Sequence, residues 1–212
     1  MFPHITTIDG TASAGKTTMA KLLAAQFRLT HLESGSIFRA LTKQCINKGV
    51  DFSSHKEIID QLTAEIHLEN GRIFLNGEDV TDSLRDPIIS KNVCFISYIP
   101  EVRKYVKDFQ LACAKKRRVI CDGRKSGTEI FPHANIKFYL TANLEIRAIR
   151  RYHQLIEAKK IVTFSEVYKD LKERENQERS NGLLAVPRNA IIIDNSELTI
   201  EETQILMESY MN

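Results

Sequence analysis

Apolar and polar positions along the chain follow patterns that predict strands and helices in alternation. Residues 5–8 indicate a buried strand, and after a glycine-bounded turn residues 16–27 have the spacing of a helix. Short apolar runs at 119–121, 136–140 and 190–193 each predict a further buried strand. Because strands that alternate with helices form a parallel sheet covered by helices, we expect an α/β fold whose ligand crevice lies at the carboxyl ends of the strands.

The remaining helices are predicted from apolar spacing and from residue types that favour helix ends. A proline should interrupt the long helical region near Pro100. Serine or threonine followed three residues later by glutamate is the capping box that begins a helix. The helices expected on these grounds are 36–48, 86–116 in two parts, 144–155 after Asn143, one after Ser54 and Glu57, one from Thr163 and Glu166 to about 179, and one after Thr199 and Glu202.

The segment 65–80 has a different pattern, in which apolar and polar residues alternate one by one. Asn70-Gly71 and Asn76-Gly77 interrupt this alternation, and Asn-Gly between alternating runs is a strong signal for a β-hairpin. A hairpin within a chain of strand–helix units predicts an inserted subdomain at approximately 50–90.

Composition and charge are those of an ordinary globular protein. Of the 212 residues, 42% are apolar and 27% are charged, which predicts one well-cored domain with a small insertion. The net charge of +3 permits an anionic small-molecule substrate without requiring nucleic acid. The basic run 115–118 lacks stacking aromatic residues and is interpreted as favourable charge at a helix end. No window approaches the ~20 apolar residues of a membrane span. We therefore expect a cytoplasmic protein that binds neither nucleic acid nor a membrane.

The cysteines do not have the spacing of a metal or redox site. None belongs to a C-x-x-C pair, and no companion histidine pattern accompanies them. We expect them to be reduced, buried thiols. They are Cys45, Cys94, Cys113 and Cys121.

Residues 10–17 match the pattern G-x-x-x-x-G-K-[ST] at every position. The glycines allow the backbone amides to face inward, and together with the start of the following helix they form a cradle for the phosphates of ATP. Lys16 should reach the β- and γ-phosphates, and Thr17 should offer its hydroxyl to Mg²⁺. The expected ATP-binding residues are Gly10, Thr11, Ala12, Ser13, Ala14, Gly15, Lys16, Thr17 and Thr18.

Two further groups of residues suit phosphoryl transfer. Asp122 ends a short apolar strand, where its carboxylate could hold the metal with Thr17. Phosphoryl transfer also needs cations around charge that moves between donor and acceptor. The arginines available for this purpose are Arg39, Arg124, Arg147, Arg150, Arg151, Arg174 and Arg179.

Several blocks of sequence occur in the order found in a known family. They are Asp9 to Thr18, Glu33-Ser34-Gly35-Ser36-Ile37-Phe38-Arg39, Asn76-Gly77-Glu78-Asp79-Val80, Pro100-Glu101-Val102-Arg103, and Asp122-Gly123-Arg124 with Gly127-Thr128 and Phe131-Pro132. Over nearly the whole chain these blocks resemble the bacterial cytidylate kinase family. The resemblance implies a single P-loop kinase domain over 1–212, of three layers, with an inserted monophosphate-binding subdomain and a lid at approximately 150–182. It implies a monomer that transfers the γ-phosphoryl group of ATP to CMP or dCMP with Mg²⁺.

The resemblance also implies roles for individual residues. Arg39 and Arg124 would bind the acceptor phosphate, with Ser34 beside it, and Arg103 would lie near the base and Arg174 near the ribose. Lid closure would bring Arg147, Arg150 and Arg151 toward the transferring group. The catalytic residues implied are Lys16, Arg39, Arg124, Arg147 and Arg151.

The chain departs from the family mainly on the acceptor side. Lys125 stands where the family has an aspartate expected to help read the cytosine amino group. Cys94 replaces a serine of the base pocket, and Glu178 and Glu33 replace aspartates. An acceptor arginine is missing near Asn181, and Arg179 or Arg188 could take its place. These changes leave open a kinase of UMP or another small acceptor, and a nucleotide-binding protein with weak catalysis.

Overall fold

The computed structural model describes residues 4–69 and 71–211. The strands are β1 (Ile5–Gly10), β2 (Thr30–Glu33), β3 (Ile66–Glu69), β4 (Arg72–Leu75), β5 (Glu78–Asp79), β6 (Val119–Asp122), β7 (Ile136–Thr141) and β8 (Ile191–Asp194). The helices are α1 (Lys16–Phe27), α2 (Ser34–Asn47), α3 (His55–Asp60), α4 (Pro87–Ser97), α5 (Pro100–Ala114), α6 (Leu144–Glu157), α7 (Phe164–Ser180) and α8 (Ile200–Glu208). A one-turn π-helical segment, Ser126–Ile130, follows β6.

The larger sheet has the strand order β2-β6-β1-β7-β8. Strand β1 pairs in parallel with β6 and β7, and β7 pairs in parallel with β8. All six residues of β1 are buried, because the strand lies in the middle of the sheet. The predicted α/β fold with a parallel sheet is confirmed.

The chain forms two compact units. The first consists of the residues up to His31 together with those from Arg117 onward, and the second is Leu32–Lys116. In the first unit, apolar side chains of α1 and α8 pack with those of the sheet around Ile8 and Phe138. The second unit has its own core, in which apolar side chains of α2 and α5 pack with those of the small sheet.

The second unit contains the predicted hairpin. Strands β3 and β4 pair antiparallel, and β5 adds a third strand to this sheet. Gly71 in the connection has φ +76°, a left-handed conformation that glycine adopts without strain. Asn70 of the predicted turn lies outside the described residues. The hairpin is confirmed, and the subdomain boundaries at approximately 50–90 stay a prediction.

Most predicted helix ends have the expected chemistry. The helical region is interrupted between Ser97 and Pro100, as the proline predicted. Reciprocal capping boxes begin α7 at Thr163 and α8 at Thr199. Only one of the two hydrogen bonds of the capping box predicted at Ser54 is present, so the prediction is wrong for the other. Its hydroxyl accepts from the Glu57 amide, but the Glu57 carboxylate accepts from the Asp51 amide instead of returning to Ser54.

Other predictions need correction. The run at 190–193 is not a fully buried strand, since β8 lies at the edge of the sheet and Ile192 is 62% exposed. Helix α2 begins at Ser34, two residues earlier than expected. None of the four cysteines, all within the described residues, forms a disulfide, but Cys94 is exposed and Cys113 is partly exposed, so only Cys45 and Cys121 are buried as predicted. None of the helices in the described part of the chain is long and apolar enough to span a membrane.

Strand β1 ends in a contact that only glycine permits. A Cβ atom at Gly10, which has φ +139°, would lie 1.9 Å from the Leu140 carbonyl oxygen. Gly49 is also left-handed, with φ +64°, but an added Cβ there would meet no atom within 4 Å.

We expect Gly49→Ala to lower the free energy of unfolding by about 1–2 kcal/mol, the backbone cost alone. Gly10→Ala should cost more than about 4 kcal/mol or prevent recovery of folded protein. Urea denaturation of the two variants measures this difference, and equal losses would contradict the contact.

Candidate active site

The loop between β1 and α1 has the curled backbone expected of a phosphate cradle. Gly10, Ser13 and Gly15 have φ angles of +139°, +59° and +92°. These left-handed residues turn the chain sharply before α1 begins at Lys16. The first amides of a helix have no acceptor within the helix, and its N-terminus attracts negative charge. The sequence prediction of a strand, a glycine-bounded loop and a helix is confirmed, and we call residues 10–18 the phosphate loop.

Lys16 lies inside the phosphate loop. Its side chain is buried, and Nζ donates a hydrogen bond to the Thr11 carbonyl oxygen at 2.5 Å. Burial first, and then the nearby charge of Arg124, hold the pKa of Lys16 well below its ordinary value. A negative charge in the loop would offset both effects, so the site is suited to an anionic ligand.

Asp122 and Thr17, the two residues predicted to hold a metal, are in direct contact. The Thr17 hydroxyl donates to Asp122 Oδ2 at 2.7 Å, and His31 Nε2 lies 2.6 Å from Asp122 Oδ1. Burial alone raises the pKa of Asp122, but the hydrogen bonds to His31 and Thr17 and nearby positive charge outweigh it, so that the pKa lies below its ordinary value. The carboxylate is therefore ionised near neutral pH. Within the described residues, no three acidic, histidine or cysteine side chains come together to hold a metal without further ligands.

Arg124 is held by a buried carboxylate. Its Nε and Nη2 atoms donate to the two oxygens of Glu178 at 2.9 and 3.0 Å, and Nη1 donates to the Gly10 carbonyl oxygen at 3.1 Å. Arg174 Nε donates to the same carboxylate at 2.9 Å. Burial raises the pKa of Glu178, but the charges of Arg124 and Arg174 outweigh it and keep the pKa below its ordinary value. The structure thus brings together three residues that the family resemblance assigned to the acceptor.

The arginines of α6 differ in their surroundings. Arg147 is buried, and it donates to the Ala12 carbonyl oxygen in the phosphate loop at 3.2 Å and to Glu175 at 2.5 Å. Arg151 is exposed and donates to Gln154 at 3.5 Å. In this structure Arg147 supports the phosphate loop, whereas Arg151 points toward solvent.

A third arginine of α6, Arg150, contacts Asn195, which in turn contacts the phosphate loop. The sequence analysis did not identify this asparagine. Arg150 donates to Oδ1 of Asn195 at 3.0 Å and to its carbonyl oxygen at 2.8 Å. The Nδ2 group of the same buried asparagine donates to the Ala14 carbonyl oxygen at 3.1 Å. Asn195 follows β8 by one residue, and the carboxyl end of a buried strand was the one signal that could have identified it.

The predicted acceptor residues of the second unit lie on its helices. Ser34 begins α2 and accepts a hydrogen bond from the buried Gln110 of α5 at 2.9 Å. Arg39 Nη1 lies 4.0 Å from Glu33 Oε1. A side chain at Gly35 would collide with Arg39, since its Cβ would lie 2.8 Å from Nη1. Ser34 and Arg39 thus lie in the first turns of α2. Gln110 belongs to no sequence motif, so the sequence analysis did not identify it.

The other two acceptor predictions of this unit are on different helices. Cys94 is exposed on α4, where its thiol contacts the Lys91 carbonyl oxygen at 3.3 Å. Arg103 on α5 donates to the Ser97 carbonyl oxygen at 3.3 Å.

Lys125 directly precedes the π-helical segment and forms an ion pair with Glu129 in that segment. The two candidates for the missing acceptor arginine differ in position. Arg179 lies on α7 and donates to Glu175 at 3.2 Å. Arg188 lines a pocket of about 460 Å³ together with Gly127, Thr128 and Lys137.

Comparison with known proteins agrees with the resemblance. A family model described as cytidylate kinase matches residues 6–211. A cytidylate kinase from Caldanaerobacter subterraneus subsp. tengcongensis is 39% identical over 198 residues, which cover 92% of this chain and 88% of the relative. One from Thermodesulfovibrio yellowstonii is 37% identical over 206 residues, 93% of each chain.

Among solved structures, shikimate kinase from Bacteroides thetaiotaomicron has a TM-score of 0.51 at 12% identity over 99% of both chains. An uncharacterized protein from Eubacterium ventriosum has a TM-score of 0.56 at 12% identity over 99% of this chain and 98% of its own. The structural likenesses support the fold.

The buried carboxylate of Glu178 should contribute to stability in a pH-dependent way. We expect Glu178→Gln to lower the free energy of unfolding at pH 7 by about 1.5–3 kcal/mol, because charge-assisted hydrogen bonds are lost. The folded pKa is lower than the unfolded value of about 4.3, so this contribution is complete above that value and is lost as the pH falls through the folded pKa. The stability difference between native protein and variant should therefore shrink between pH 7 and pH 3 in urea titrations. The control is Glu173→Gln, an exposed position of α7. Equal effects of the two substitutions would contradict the assignment.

Proposed function

The chain belongs to the cytidylate kinase family, and we propose that it transfers the γ-phosphoryl group of ATP to CMP or dCMP, producing ADP and CDP or dCDP. The observation that carries this proposal is the phosphate loop with Lys16 buried inside it, next to the Thr17–Asp122 pair. A cradle of amides and a buried cation serves the donor phosphates. No observation favours a different acceptor.

On the donor side, residues of the phosphate loop bind ATP and Lys16 stabilises charge on the phosphates. The amides of the loop and of the first turn of α1 donate hydrogen bonds to the phosphate oxygens, and Lys16 places its ammonium group where charge develops during transfer. Arg147 and Asn195 hold the Ala12 and Ala14 carbonyl oxygens, which keeps the loop in shape before ATP binds. This preorganisation lowers the cost of arranging the donor.

Thr17 and Asp122 would hold Mg²⁺. Their oxygens are 2.7 Å apart, the carboxylate is ionised, and hydroxyl and carboxylate oxygens are the ligands that this hard cation prefers. The protein supplies few ligands here, which fits a metal that takes the rest of its coordination from phosphates and water. A metal ion held there would supply positive charge that offsets the charge of the phosphates.

On the acceptor side, Arg39 and Arg124 bind the phosphate of CMP and hold it in line with the γ-phosphorus. An oxygen of the acceptor phosphate then bonds to the γ-phosphorus, and the bond from that phosphorus to the bridging oxygen of ADP breaks. Guanidinium groups suit this task because they bind a phosphate through two hydrogen bonds. Glu178 holds Arg124 in the absence of phosphate, and this contact leaves the guanidinium already oriented.

Other residues would set the fit of the nucleoside. Ser34, Cys94, Arg103 and Lys125 are proposed to contact the phosphate or base side of the acceptor, and Arg174 with Glu178 its ribose. Arg151 would act with Arg147 when the lid, approximately 150–182, closes and excludes water. Arg179 is the better candidate for the missing acceptor arginine, since it shares α7 with Arg174 and Glu178. A monomer in the cytoplasm without nucleic-acid partners stays a prediction.

A coupled assay of ADP formation with a panel of nucleoside monophosphates tests the proposal. We expect turnover with CMP and dCMP in the presence of ATP and Mg²⁺. Lys16→Ala should lower kcat by about 10²-fold or more, because one preorganised electrostatic partner is lost. Lys21→Ala, an exposed position on the same helix, is the matched control and should keep native activity. Near-native turnover in Lys16→Ala would show that the loop does not carry out the transfer.

Lys125 should weaken the discrimination between CMP and UMP. An aspartate could accept a hydrogen bond from the cytosine amino group, whereas lysine has donors only. A site that depends on such a bond can reject an analogue by up to about 10⁴–10⁵, so a much smaller ratio of kcat/KM for CMP and UMP is expected here. Lys125→Asp should raise that ratio, and kcat/KM for CMP, dCMP and UMP measures it. Because Lys125 pairs with Glu129, Glu129→Gln is a control that frees the lysine without adding an acceptor. If the native enzyme already prefers CMP strongly and Lys125→Asp leaves the CMP/UMP ratio of kcat/KM unchanged, Lys125 takes no part in recognising the base.

A further inference from the structure

Strand β1 contains a buried carboxylate that the proposed transfer does not use. Asp9 precedes the phosphate loop directly, and its side chain has no exposed surface. Moving a carboxylate out of water costs free energy unless hydrogen bonds replace its hydration. The partners of this carboxylate therefore indicate what the structure gains from it.

Both oxygens of Asp9 accept hydrogen bonds from the backbone that follows β6. The Ser126 amide donates to Oδ1 at 2.8 Å, and the Gly127 amide donates to Oδ2 at 2.7 Å. These amides begin the π-helical segment, so no earlier turn of that segment provides an acceptor for them. Burial raises the pKa of Asp9, and the two amide hydrogen bonds oppose this rise.

The residues on either side of Asp9 hold the same loop. The Ile8 carbonyl oxygen accepts from the Gly123 amide at 3.1 Å, and the Gly10 carbonyl oxygen accepts from Arg124 at 3.1 Å. Three consecutive residues of β1 thus contact residues 123–127. This loop carries Arg124, the proposed ligand of the acceptor phosphate.

Close packing at Gly127 keeps the loop against β1. A Cβ atom there would lie 2.8 Å from Thr7 Oγ1 and 3.0 Å from Pro187 Cγ. Contacts this short would require Thr7, Pro187 or the Gly127 backbone to move. The absence of a side chain at Gly127 therefore allows the loop to lie this close to β1.

We propose that Asp9 is a positioning residue for the acceptor: its carboxylate fixes residues 123–127 so that Arg124 faces the acceptor phosphate. The proposal rests on the proposed function, which makes Arg124 a ligand of that phosphate. Asp9 would thus serve the acceptor side, although it directly precedes the phosphate loop of the donor side in the sequence. An asparagine would present one acceptor and one donor to two amide groups, so one of the two hydrogen bonds would be lost.

The first test compares Asp9→Asn with Asp51→Asn. Asp51, the control, is an exposed carboxylate that likewise accepts a hydrogen bond from a nearby backbone amide, that of Ser53. We expect Asp9→Asn to raise the KM for CMP by about 10-fold or more, the effect of losing a hydrogen bond to a charged group, and to change the KM for ATP less than about twofold. A purely structural role would reduce the amount of active enzyme and leave both KM values unchanged, and that result would overturn the proposal.

The second test asks whether Asp9 acts through Arg124. In a double-mutant cycle, Asp9→Asn should have little further effect on the KM for CMP in the Arg124→Ala background, because coupled residues are not additive. Full additivity would overturn the proposal. If Asp9→Asn does not fold, Gly127→Ala displaces the same backbone from the other side and should give the same split between the KM values.

The third test needs no turnover. Hydrogen exchange should show protected amides at Ser126 and Gly127 in the native protein and faster exchange of at least one of these two amides in Asp9→Asn. Unchanged exchange would overturn the proposal whatever the activity. A native protein inactive with every monophosphate would instead overturn the proposed function, and hydrogen exchange would then decide by itself whether Asp9 holds the loop.

Discussion

The position of strand β1 is the constraint on which the rest of the site depends. It is paired on both sides, to β6 and to β7, and all of its residues are buried. Its carboxyl end therefore cannot move without breaking two ladders of hydrogen bonds. The close approach of Gly10 to the Leu140 carbonyl oxygen sets the direction in which the chain leaves the strand. The phosphate loop, the start of α1 and the loop after β6 are all built outward from this fixed end.

Buried charge is concentrated around that end of the sheet. Within the part of the chain that the structure describes, the buried charged residues are Asp9, Lys16, Asp122, Arg147 and Glu178. Lys16 lies in the phosphate loop, Asp122 and Arg147 contact it, Glu178 holds Arg124, which contacts it, and Asp9 directly precedes it. Burying a charge costs free energy, and a pair of buried charges contributes little net stability. Such groups are found where a function requires preorganised charge, and here the pKa shifts of Lys16, Asp122 and Glu178 have the causes expected of such a site.

The two sides of the reaction are organised by different means. The proposed donor side combines the backbone of the phosphate loop, whose position is fixed by the fold, with the side chains of Lys16, Thr17 and Asp122. The proposed acceptor side relies on long side chains such as Arg124 and Lys125, which are held by the carboxylates of Glu178 and Glu129. Because a side chain can be exchanged without changing the backbone, base specificity can vary on a constant fold. This explains how the donor motif is complete in a chain whose acceptor residues differ from the family pattern.

The sequence alone determined the fold class and the donor site, because both depend on local chemistry. Apolar periodicity predicted the strands and helices, and the glycine pattern from Gly10 to Thr17 predicted the phosphate loop together with Lys16. Contacts between residues far apart in the chain were decided by the tertiary structure. Asp9 and Gly127, Arg124 and Glu178, and Asn195 and Ala14 are each separated by more than 50 residues, and no spacing rule relates them. The exposure of Ile192 likewise followed only from the strand order, since an edge strand and a central strand have the same apolar pattern until the sheet is assembled. Local periodicity records which backbone conformation a segment prefers, whereas the partners of its side chains exist only after distant strands have been brought side by side.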